Sequence, residues 1–101
     1  MGAPVAKGAV KDEVSYFFLI SLTEKGAGLS AAQRKKERSD VSKLVKKVGG
    51  RCHLYSTRGA AFDSVSVITG ITTAAAVSIA EEIGKRGTVK ATLLSGIEVF
   101  I

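Results

Sequence analysis

The chain has 101 residues, 46% of them hydrophobic and only 6% aromatic, which is enough for one aliphatic-cored domain and too few for two. A single cysteine and a single histidine exclude an internal disulfide and a zinc-type cluster, so a cross-linked secreted scaffold is set aside and a reducing cytoplasm is the expected setting, with no metal and no cofactor. The net charge of +6 admits an anionic partner, whereas no signal-type apolar region and no run of roughly 18 uncharged apolar residues points to a membrane.

Residues 1–13 are small, contain glycine and carry the one proline, so they read as a flexible N-terminal arm or a remnant of expression, with the folded domain spanning 14–101. From Val14 to Leu22 the run VSYFFLISL has the length and the branched and aromatic content of a buried strand. Alternation places Val14, Tyr16, Phe18, Ile20 and Leu22 on one face and Ser15, Phe17, Leu19 and Ser21 on the other. Both faces therefore carry large apolar groups. After a glycine-containing connection, TEKGAG, the spacing of Val41, Leu44, Val45 and Val48 is one helical stripe, closed by Gly49-Gly50. The same helical step puts Arg34, Glu37 and Arg38 on the stripe side, so the helix either bends near Ser39 or overhangs the core, and Asp40 is expected to pair with Lys43 or Lys47.

Arg51 to Thr57 reads as the second strand, with Cys52, Leu54 and Ser56 facing one way and Arg51, His53, Tyr55 and Thr57 the other. Phe62 to Thr69 reads as the third, and Arg58-Gly59-Ala60-Ala61 as the hairpin turn between them. Its Val65 and Val67 lie opposite Phe62, Ser64, Ser66 and Ile68. Thr72 or Thr73 caps a second helix that turns Ala76, Ile79, Ala80 and Ile83 inward and ends near Gly84 or Gly87. A β-rich tail, Thr88 to Ile101, completes the chain, with Gly96 expected to bend or bulge it.

This order predicts an α+β, ferredoxin-like βαββαβ fold, a four-stranded antiparallel sheet with two helices on one face. The other face keeps part of the apolar set of the first and third strands, a larger patch than a monomer normally leaves in water. A second copy is the simplest cover, giving a homodimer of facing sheets, a dimeric α/β barrel, or a higher homo-oligomer in which the tail past Gly96 pairs across the interface or extends a ring.

The segments Phe18–Gly26 (FLISLTEKG), Lys47–Arg51 (KVGGR), Ala60–Val65 (AAFDSV) and Gly87–Lys90 (GTVK) resemble successive blocks of the GYD domain family, over about Val14 to Phe100. That family is similar in pattern to the ligand-sensing domain of feast/famine transcription regulators, and both resemble members of the dimeric α/β-barrel superfamily. The name-giving Gly-x-Tyr-Asp would fall on Ala60-Ala61-Phe62-Asp63, so Phe62 stands where the family has Tyr and Gly59 sits one position early. The resemblance implies the fold and the oligomer, and it assigns no reaction to particular residues.

The chemically suggestive stretch is residues 49–68, GGRCHLYSTRGAAFDSVSVI. Cys52 and His53 are consecutive on a strand and point to opposite faces, so they form no thiolate-imidazole pair within one subunit, and Cys52 reads as a small buried apolar residue. Arg51, His53, Tyr55 and Thr57 share a face and are candidates for a polar ligand pocket or an interface, a simple solvated or dimer-facing strand being the plainer reading, with Arg58 able to hold a carboxylate or phosphate. Asp63 joins them as a candidate, although its first expected role is to accept turn amides. No catalytic residue is assigned, and the scattered glycines make no phosphate-cradling loop.

The expected function is accordingly a noncatalytic oligomeric module that senses a small molecule or serves in assembly. A cofactor-free enzyme using a cleft between sheet and helices, with His53, Tyr55 or Tyr16 moving protons, is the alternative. Nucleic-acid binding through the basic first helix, at Arg34, Lys35 and Lys36, is disfavoured because no aromatic side chains interleave with the cations.

Overall fold

A computed structural model describes residues 14–58 and 61–99. The expected arm, the tip of the expected turn and the last two residues lie outside the described residues. Strand β1 (Val14–Leu22) leads into a one-turn helix α1 (Glu24–Ala27) and the long helix α2 (Ala31–Lys47). Strands β2 (Arg51–Ser56) and β3 (Ser64–Thr69), helix α3 (Thr73–Lys85) and strand β4 (Val89–Ile97) follow. All pairings are antiparallel in the order β2-β3-β1-β4, which is the expected ferredoxin-like sheet. The most apolar strand, β1, takes a central place between β3 and β4, where both its edges are paired and its Tyr16 and Phe18 face is buried.

Both helices pack on one face. Tyr16, Phe18 and Ile68 share that face and are buried together with Val45 from α2 and Ala76, Ile79 and Ile83 from α3. Each fully buried aliphatic or aromatic side chain of this set contributes about 1.5–3 kcal/mol. The α3 face follows the expected stripe, and its cap is Thr72, whose Oγ1 accepts the Ala75 amide at 3.1 Å. The start of α2 is fixed by a reciprocal cap: the Ser30 hydroxyl accepts the Gln33 amide at 3.2 Å, and the Gln33 side chain accepts the Ser30 amide at 2.9 Å.

Several expectations are corrected. The connection after β1 contains α1, which forms because Thr23 accepts the Gly26 amide at 3.1 Å while donating to the Gly87 carbonyl at 2.6 Å. Gly26 itself is buried against the chain before β4, where a Cβ would stand 1.8 Å from the Thr88 carbonyl oxygen, so no larger residue fits. Of the polar groups on the stripe side of α2, Arg34 and Glu37 find partners at this end of the molecule, although the Arg34 Nε is buried without one, and Arg38 is exposed. Arg34 donates to the Ala27 carbonyl at 2.8 Å, and Glu37 accepts from the Thr88 hydroxyl at 2.7 Å. Val48 is 46% exposed because it follows the last helical turn, and the buried stripe ends at Val45. Asp40 pairs with Lys36 at 3.3 Å, one turn toward the N-terminus, instead of with Lys43 or Lys47.

Between β2 and β3 the connection is longer than a tight hairpin. A backbone bond from the Thr57 amide to the Asp63 carbonyl at 3.2 Å closes it, with a side-chain bond beside it. Thr57 donates its hydroxyl to the Phe62 carbonyl at 2.5 Å, and β3 begins only at Ser64. In β4 the expected bulge is absent: Gly96 pairs with Ser15 in an unbroken ladder that runs from Leu22↔Val89 to Val14↔Ile97. What Gly96 supplies is room, since a Cβ there would meet the Phe17 ring at 3.2 Å.

Candidate functional site

The helix-free face of the sheet is built by the alternate residues of all four strands. His53, Val67, Phe17 and Leu94 run across β2, β3, β1 and β4 as one row, and Tyr55, Val65, Leu19 and Thr92 form the next. Phe17, Leu19, Val65 and Val67 are half-buried by one another alone, while Leu94 and Tyr55 are exposed. Polar and small residues flank these two rows: Arg51 beside Thr69 and Ser15 beside Gly96 at one end, Ser21 beside Lys90 at the other. An apolar centre with a polar rim is the anatomy of an interface.

The structure places Arg51, His53 and Tyr55 together on this face of the edge strand β2, all three exposed. Arg58 stands exposed just beyond the strand. Asp63 is apart from them in role. Its carboxylate accepts the Leu22 amide at 2.7 Å, its own amide donates to the Ile20 carbonyl at 2.8 Å, and its carbonyl accepts the Thr57 amide at 3.2 Å. The carboxylate thus holds the end of β1 instead of the turn amides expected, and is a clamp between β1 and β3. Cys52 and His53 do point to opposite faces, with Cys52 half-buried against the helices and His53 exposed. Burial pushes the Cys52 thiol up from its ordinary value of 9.0, with a hydrogen bond to Ser66 pulling it part of the way back. A thiol held in its protonated form is a poor nucleophile.

Tyr16 lies on the helix side. Its hydroxyl is 2.7 Å from the Thr73 hydroxyl and lines an open cleft of about 640 Å³ with Val14, Val48, Ile71, Thr72 and Thr73. The proton-transfer trio considered from the sequence is therefore divided by the sheet, with Tyr16 at the cleft and His53 and Tyr55 on the opposite face. Thr73 escaped the sequence reading as a site residue, although a tyrosine on an otherwise apolar strand face signals that some hydroxyl partner must be near. On α2, Lys35, Lys36, Arg38, Lys43, Lys46 and Lys47 are exposed. Among the described residues no cluster of three or more His, Cys, Asp or Glu side chains is placed to hold a metal ion, and no helix is long and apolar enough to cross a membrane.

No family model and no curated protein matches the chain. Solved structures do match in shape. A chlorite dismutase variant from Candidatus Nitrospira defluvii, in complex with cyanide, superposes with a TM-score of 0.65 at 16% identity, over 98% of this chain and 45% of that one. SnoaB of Streptomyces nogalater, a cofactor-independent oxygenase, gives 0.62 at 11% identity over 89% and 96% of the two chains. The leucine response regulatory protein of Mycobacterium tuberculosis gives 0.55 at 17% identity over 97% and 57%. The chain spans less than half the length of the chlorite dismutase it matches. At such identities the likeness speaks of architecture alone, and it agrees with the strand order and the one-sided helices: the fold is α+β and ferredoxin-like.

Proposed function

We propose that the chain is a GYD-like homo-oligomeric module that pairs its helix-free sheet faces and serves small-ligand sensing or assembly, not catalysis. The observation that carries this reading is the pair of rows centred on Phe17, Leu19, Val65 and Val67, which no element of the described chain covers. Leaving such a contiguous apolar surface in water is unfavourable by roughly 25 cal/mol per Å², and an isologous twin removes it from both copies at once. Arg51, His53, Tyr55 and Arg58 then border the seam, where a small molecule bound between subunits would be read by both, and Asp63 keeps the neighbouring strand end in place. The regulatory protein that shares the fold fits a sensing role by analogy only.

Sedimentation velocity across a hundredfold concentration range tests the reading. A dimer or larger species is expected for the native chain and a folded monomer for Leu19→Asp; a native chain that sediments as a monomer throughout would refute it.

One observation favours a second reading, a cofactor-free enzyme. The Tyr16 and Thr73 hydroxyls meet at the wall of the cleft, and a hydrogen-bonded tyrosine beside an apolar hollow can exchange a proton with a bound substrate. SnoaB, of similar length and fold, is such an enzyme. This reading expects turnover that Tyr16→Phe abolishes while the oligomer persists.

A further inference from the structure

We infer that the paired faces hold a small oxyanion, a carboxylate or phosphate group, on Arg51 and His53 of β2. The inference rests on the pairing proposed above and adds the chemistry of what the seam binds. The side chains of the helix-free face can be read row by row from the strand registers. Its charged or chargeable members within the strands are Arg51, His53, Tyr55 and Lys90, and no carboxylate stands among them.

Among the described residues the carboxylates nearest in register lie at the margins. Asp63 is six residues along the sheet from Thr69, the partner of Arg51, which is about 20 Å, and its carboxylate is engaged by the Leu22 amide. Glu98 follows β4, on the far edge of the sheet, three strand spacings or about 14 Å from β2. Among the described residues neither Arg51 nor His53 has a hydrogen bond or an ion pair from its side chain.

Pairing two such faces brings two copies of the same cations toward a seam that loses water. Positive groups moved out of water without a counter-charge are costly, and the cost falls when an anion enters with them. Arg51 and His53 are suited to share one. They sit two residues apart on one face of a strand, about 7 Å along its axis, a separation that one small anion can bridge. A guanidinium offers paired N–H donors that match two oxygens of a carboxylate or phosphate, and an imidazole adds a third donor from the side. Tyr55, next along the same face, can donate its hydroxyl to an adjoining polar group of the ligand, while Val67 and Phe17 in the row of His53 offer an apolar bed for its body. The ligand class is therefore a small organic anion, or phosphate itself.

The chain has one histidine, so its two imidazole C–H resonances overlap with those of no other histidine and report directly on this site. Inorganic phosphate and acetate are titrated into the native protein, with sodium chloride at matched ionic strength as the control, and dimerisation is followed by sedimentation in parallel. The expected result is a saturable displacement of the His53 resonance by phosphate, acetate or both, absent with chloride and lost in Arg51→Gln. With millimolar sites formed only in the dimer, about 10 mM of the responding anion should lower the dimer dissociation constant roughly tenfold for each site filled.

Response to phosphate alone would assign the pocket to phosphate groups, and response to acetate to carboxylates. A dimer whose His53 resonance answers neither anion, or answers equally in Arg51→Gln, overturns the inference and leaves the pairing intact. If Glu98→Gln weakens the dimer while both anions are silent, the counter-charge comes from the twin's own chain and the inference likewise falls. A monomer at every concentration removes the pairing itself.

Discussion

Phe18 and Ile68 on the helix-covered side of the sheet have no exposed surface, while Phe17 and Val67, one residue away on the same strands, keep part of theirs. The strands, the backbone and the kinds of side chain are the same on both sides. What differs is the cover, because two helices of 17 and 13 residues shield one face of a four-stranded sheet and the chain offers nothing comparable for the other among its described residues. The covered face is thus a core that stabilises the single chain. On the proposed pairing the other is half of an interface, and its energetics should then depend on protein concentration where those of the core do not.

The strongest way to break this contrast is to truncate matching aromatics on the two sides. Phe18→Ala is expected to cost about 3–5 kcal/mol of folding free energy, seen as a drop in the urea midpoint that is the same at every protein concentration. Phe17→Ala should leave the dilute chain far less affected while weakening association, the signature being a midpoint that falls further below the native one as protein concentration rises. If Phe17→Ala destabilises the dilute chain as much as Phe18→Ala, the two faces are not different in kind.

Next in size is Gly26→Ala, where a methyl group would collide with the Thr88 carbonyl; about 1–3 kcal/mol is expected in the same denaturation assay, without any effect on association. Asp63→Ala sharpens the comparison at the rim. Loss of the 2.7 Å bond to the Leu22 amide should cost about 1–2 kcal/mol, and measured binding of phosphate at Arg51 and His53 should not change if Asp63 is a clamp and not a ligand residue.

The smallest effect concerns Cys52 on the covered side. Its folded-state thiol titrates above the ordinary 9.0, so the unfolded chain gives up its proton first as the pH rises. The stabilisation from keeping the thiol protonated is complete below pH 9 and is lost progressively above it, up to the folded-state value. A slightly steeper alkaline decline of the melting temperature is expected for the native protein than for Cys52→Ala. Thiol labelling of the folded chain near pH 7 should be slow, whereas rapid labelling would place Cys52 outside the covered face.

The reading of the sequence reached the succession of strands and helices along the chain, the two main helices, the inward stripe of α3 and the division of β1 into two apolar faces, because each is written in local periodicity. It also reached the opposite orientation of Cys52 and His53, which follows from alternation alone. It missed α1, since a four-residue helix containing glycine leaves no periodic pattern, and it missed the reciprocal cap at Ser30 and Gln33, a spacing that was there to be read. Gly96 was misread as a bulge because a glycine in a strand looks the same whether it bends the chain or makes room for a ring. Of the candidate site, Arg51, His53 and Tyr55 were legible as a strip on one face. The engagement of Asp63 with Leu22 was not, since that contact joins residues 41 apart in the chain.

By itself the sequence determined which residues alternate, which repeat at helical spacing and that too much of the sheet is apolar for two helices to cover, all of which follow from backbone geometry acting over a few residues. Only the tertiary structure decided that Tyr16 meets Thr73 across a cleft, that Gly26 lies against Thr88, and that Tyr16 is parted from His53 and Tyr55 by the thickness of the sheet. Those outcomes depend on how distant segments dock, and docking is set by the shape and satisfaction of the whole core, which no local pattern contains.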